Sequence, residues 1–117
     1  MFGVTNHRYL VLLILDVFLK FLDPPTITEV TSSADKSWIG QTVALTCKSD
    51  GVPTPALTWY KPEGSQINSV TATQITVDVK MNEDQDFGGY KCVVDNGLTP
   101  ADFETVKIEQ ISRSLLS

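Results

Sequence analysis

The chain has 117 residues, 42% of them hydrophobic and 20% charged, with a formal net charge of −5. That is enough apolar content for one core, and too little length for a multi-part phosphotransferase. An acidic balance lacks the basic stripe that neutralises phosphates, which argues against nucleic acid or an anionic membrane surface as partner.

Residues 1–23 read as a signal peptide or leader. Arg8 precedes a continuous apolar run, Tyr9 to Leu15, as in a charged n-region followed by an apolar h-region. Asp16 and Lys20 interrupt the continuation of this run, and Asp23-Pro24-Pro25 stands where a small-residue cleavage site is expected. A membrane span needs about 20 apolar residues, so no span is expected. Pro24-Pro25 then stops any helix and starts an extended segment.

Beyond that point the apolar residues recur with period two. Val43, Leu45 and Cys47 alternate with polar or small neighbours, and so do Leu57 and Trp59. The same holds for Ile75, Val77, Val79 and Met81, for Tyr90, Cys92 and Val94, and for Val106 and Ile108. Each run predicts a strand with one buried face. Gly- and Pro-bearing turns separate them, at Ile39-Gly40, Asp50 to Pro55, Pro62 to Ser65, Asn82 to Gly89 and Asp95 to Pro100. Short strands at this spacing argue for an all-β sandwich or barrel. Residues 24–111 form that domain, and 112–117 read as a flexible tail.

Cys47 and Cys92 are the two cysteines, and the single histidine is His7. Structural zinc needs four Cys/His ligands, so two distant cysteines read as one disulfide in an oxidising compartment. Both share the inward phase of their strands with Trp59, whose indole can cover the bridge.

The segment between the third and fourth runs, Asn82 to Gly89, invites two other readings. Asp86-Phe87-Gly88 spells a kinase magnesium motif, but the glycine-rich loop, the lysine strand and the catalytic loop that would accompany it are missing. A calcium loop starting at Asn82 would need Gly and Glu where Phe87 and Val93 stand. Nucleophile–histidine chemistry needs a histidine in the folded body. The chain therefore reads as non-enzymatic, with no catalytic residue, metal or cofactor.

Gly40 to Cys47, Leu57-Thr58-Trp59-Tyr60-Lys61 and Asp86-Phe87-Gly88-Gly89-Tyr90-Lys91-Cys92 together resemble strands two, three and six of an immunoglobulin superfamily domain. The resemblance runs from Pro24 to about Ile111. It implies a Greek-key sandwich of two antiparallel sheets with Cys47, Cys92, Trp59, Leu45, Asp86, Gly88 and Tyr90 as its core signature. Tyr90 is then the tyrosine of a corner whose hydroxyl bonds backbone just upstream. No basic residue between Lys61 and Lys80 is available to pair with Asp86, so Asp86 is expected to cap its own turn through backbone N–H groups. The short stretch from Trp59 to Cys92 leaves little room for extra edge strands and points to an intermediate-set or constant-2-like domain of seven or eight strands.

On one sheet Tyr60, Lys61, Lys91, Val93 and Phe103 should face outward as a patch for a protein partner, homophilic or heterophilic. The resemblance implies an extracellular, secreted or cell-surface binding module in adhesion or receptor recognition. The alternatives are an intracellular spacer of the muscle-filament type, or one domain of a longer array.

Overall fold

The structure, a computed structural model, describes residues 21–111. The tail expected over 112–117 and all but the last three residues of the expected leader lie outside the described residues. Eight strands follow in order: β1 Asp23–Ser32, β2 Lys36–Ser37, β3 Thr42–Val52, β4 Ala56–Tyr60, β5 Gln66–Thr71, β6 Gln74–Lys80, β7 Gly88–Asp95 and β8 Asp102–Gln110. They form a three-stranded sheet, β1-β3-β6, and a five-stranded sheet, β2-β8-β7-β4-β5. All described pairings are antiparallel except the short β2–β8 contact, Lys36 to Glu109 and Ser37 to Gln110.

The core follows from the alternation. Val43, Leu45 and Cys47 on β3 and Ile75, Val77 and Val79 on β6 meet Leu57, Trp59, Tyr90, Cys92, Val94 and Ile108 of the opposite sheet. Cys47 is bonded to Cys92 across a Cα–Cα distance of 6.5 Å. The bridge joins the middle strand of each sheet. Its sequence separation of 45 corresponds to about 4 kcal/mol in the chain-entropy account of cross-linking. Trp59 stands beside Cys92 in the β4–β7 register and is fully buried. Its Nε1 lacks a hydrogen-bond partner among the described residues, so the indole contributes through apolar burial alone.

Three strands carry no period-two signal, and the structure shows why. β1 pairs with β3 through two register shifts, and each bulge resets the alternation. β2 is two residues long. β5 is an edge strand that is exposed almost throughout. Its Val70 lies opposite the buried Leu57 and remains 39% exposed, whereas Ile67 near the other end of the strand packs against the core. The short stretch from Trp59 to Cys92 thus accommodates one edge strand that the alternation did not indicate. Ala72 and Thr73 then carry the chain from one sheet to the other, with Ala72 N–H donating to Pro55 and Thr73 accepting from Ser49. A second correction concerns Asp50-Gly51-Val52, expected as turn and found as the end of β3.

Candidate recognition face and its frame

The corner before β7 sets the frame. A single 3-10 turn, Asp84–Asp86, precedes the strand. One carboxylate oxygen of Asp86 accepts from the N–H groups of Asn82, at 2.7 Å, and Glu83, at 3.0 Å. The Tyr90 hydroxyl donates to the Asp86 carbonyl, closing a four-residue loop at the strand entrance. The ring is fully buried, and burial, aided by the Asp86 and Glu63 carboxylates, pushes the phenol up to about 12. Gly88 follows at φ 137°, a region that side chains disfavour, and a Cβ there would stand 3.2 Å from Pro62 Cβ. Leu45, fully buried on β3, packs in the same core.

This frame presents the outer surface of β4, β7 and β8. Register places Tyr60 opposite Lys91 and Thr58 opposite Val93. On the other side of β7, Lys91 lies opposite Thr105 and Val93 opposite Phe103. Cross-strand partners share a face, so Tyr60, Lys91, Val93 and Phe103 form one contiguous patch. Phe103 is 61% exposed, and the Lys91 ammonium lies 4.7 Å from its ring centroid, within the range of a cation–π contact. Tyr60, Lys61, Lys91 and Val93 also line an open depression of about 490 Å³. The remaining lining residues include Gly89 and Thr105, which sequence reasoning missed. Alternation alone could have supplied Thr105, two residues beyond Phe103. Gly89 is legible only once the fold shows Thr105 packed against it.

At the loop beside the patch, Ser65 donates from its backbone N–H and its hydroxyl to Glu63, and these bonds hold the Glu63 carboxyl below the ordinary carboxylate range. Among the described residues no cluster of three His, Cys, Asp or Glu is placed to hold a metal ion, and no helix is long and apolar enough to cross a membrane.

Residues 24–96 match the family described as immunoglobulin domain. The chain belongs to that family. Among relatives, this immunoglobulin domain is 29% identical to Lachesin of Drosophila melanogaster over 96 residues, covering 80% of the chain and 27% of Lachesin. It is 34% identical to the limbic system-associated membrane protein of Gallus gallus over 82 residues, 64% of the chain and 23% of that protein. It therefore spans about a quarter of the length of these relatives. Among solved structures, a chain of the crystal structure of Dpr11 IG1 bound to DIP-gamma IG+IG2 superposes with a TM-score of 0.60 at 28% identity, over 76% of this chain and 48% of that one. Titin M4 superposes as well, at a TM-score of 0.60 over 77% of this chain and 99% of that one, but its 19% identity shows the fold alone.

Two other side chains lock the immunoglobulin domain at its β1 end. Asp102 on β8 accepts from Ile27 N–H at 2.9 Å, bridging the two sheets. Asn96 donates from Nδ2 to the carbonyls of Asp23 and Pro53 at 2.8 and 3.0 Å. These contacts tie the loop after β7 to β1 and to the turn after β3.

Proposed function

We propose that this immunoglobulin domain is a non-catalytic, extracellular protein-recognition module of the adhesion or receptor type, acting through the outer face of β4, β7 and β8. The observation that carries the reading is the contiguous patch of Tyr60, Val93 and Phe103 interleaved with Lys61 and Lys91, with Phe103 left 61% exposed. A large aromatic kept in water on a rigid sheet is the kind of anchor that protein interfaces use. The disulfide favours an oxidising compartment over the intracellular spacer reading. Relatives whose names include a membrane protein, and a neighbour captured bound to another immunoglobulin protein, point the same way.

The test is to express the chain in a secretory cell, recover it, multimerise it and screen it against cell-surface ectodomains. Secretion with Cys47 and Cys92 bonded, and a binder lost in the Tyr60→Glu/Val93→Glu variant with its fold intact, is the expected result. Retention in the cell with free thiols would remove the extracellular reading. Binding unchanged by the double variant would remove the face.

A further inference from the structure

The depression on this face has a charge that its surroundings do not share. Its lining includes Lys61 and Lys91 and no carboxylate, on a chain whose formal net charge is −5. Of the acids around Lys61, Glu63 has both oxygens engaged by Ser65, at 2.8 and 2.7 Å, Asp86 accepts from two backbone N–H groups, and Asp78 lines a separate depression. A third lysine, Lys107, stands opposite Gly89 in the β7–β8 register. It meets Glu109 only at 3.9 Å, with both side chains more than half exposed, a pairing of little worth in water. Lys91 rests over Phe103, and a cation held by a ring face keeps ammonium hydrogens for another acceptor.

Gly89 belongs to the lining for a packing reason. Its backbone is not among the positive-φ glycines, so a turn does not require glycine there. A Cβ at Gly89 would come within 2.8 Å of the Thr105 methyl, so the close approach of β8 requires it instead. Lys61, Lys91, Tyr60 and Thr105 all line the depression and all carry hydrogen-bond donors.

We infer that the depression is a socket for a carboxylate side chain of a partner protein, with Lys61 and Lys91 as its cationic donors. The face then selects an acidic partner surface over a second copy of itself. This rests on the reading of the face as a recognition surface. Charge-assisted hydrogen bonds to a carboxylate are the strong class. An isologous contact centred on the depression would instead set lysines against their symmetry mates, and opposed like charges cost affinity.

The experiment is a titration of the 15N-labelled chain with four capped pentapeptides, identical except for a central Glu, Gln, Leu or Lys, followed by amide shifts. The Glu peptide is expected to move Gly89, Lys91 and Thr105 and to saturate, with the Gln peptide about tenfold weaker, the loss of one charge-assisted bond. Lys91→Gln should weaken the Glu peptide by a similar factor, and so should Lys61→Gln. A Leu peptide that binds as well as Glu, or a Glu peptide that leaves these amides unmoved, overturns the socket. So does a wild-type dimer in sedimentation that the Tyr60→Glu variant abolishes, although the recognition reading would survive that result. Partner binding that persists in Tyr60→Glu/Val93→Glu would instead remove the face and the socket together.

Discussion

Replacing Tyr90 by Phe removes one hydroxyl and leaves the buried ring in place. Near neutral pH the variant loses the bond to the Asp86 carbonyl, a net cost of about 1 to 1.5 kcal/mol. Alkaline pH changes the sign. The phenol titrates near its ordinary value of 10 in the unfolded chain and at about 12 in the fold. Its folded pKa is raised, so its contribution is complete below pH 10 and is lost as pH rises toward 12. Linkage converts a two-unit separation to about 2.7 kcal/mol in full, with about half lost by pH 11. Tyr90→Phe lacks this term, while the other titrating groups are common to both proteins and cancel in the difference. The wild type should therefore lead at pH 8, and the two stabilities should cross near pH 11, about where the lost term equals the lost hydrogen bond. Urea unfolding from pH 8 to 11.5, with brief exposure to protect the disulfide, measures the difference directly. A wild-type advantage that stays constant across this range would refute the corner as described.

Other substitutions probe the rest of the frame. Replacing Cys47 and Cys92 together by Ala should lower unfolding stability by about 4 kcal/mol, read as a shift of the denaturant midpoint, and retention of the wild-type midpoint would contradict a bond between sheet centres. Asp86→Ala strips the acceptor from two N–H groups and should cost about 1 to 2 kcal/mol, while Asp86→Asn, which keeps an oxygen, should recover part of it. Asp102→Ala should accelerate amide exchange at Ile27 and cost about 1 kcal/mol; unaltered exchange there would mean that β1 is held without the inter-sheet bond.

The core strands could be read directly because their environment is uniform. Val43 to Cys47, Leu57 to Trp59, Ile75 to Val79 and Tyr90 to Val94 are each packed on one side and solvated on the other, and a period of two records that condition. The strands that escaped do not meet it. β5 is exposed almost throughout and turns only Ile67 to the core, β1 shifts register twice, and β2 exists only because β8 lies alongside. The site divides in the same way. Tyr60, Lys91, Val93 and Phe103 are outward by alternation and could be named from residue order. Their register decides which of them touch, and Gly89 matters only because Thr105 arrives beside it from β8.

Local chemistry along the chain therefore determined the inward residues, the paired cysteines beneath Trp59 and the self-capping corner at Asp86 and Tyr90, since each depends on neighbours within a few residues or on a shared strand phase. Tertiary structure alone decided the unequal sheets, the inter-sheet bond from Ile27 to Asp102 and the carboxylate-free depression. Those arise from pairings between residues far apart in sequence, where the alignment of one strand against another carries the information and neither strand contains it alone.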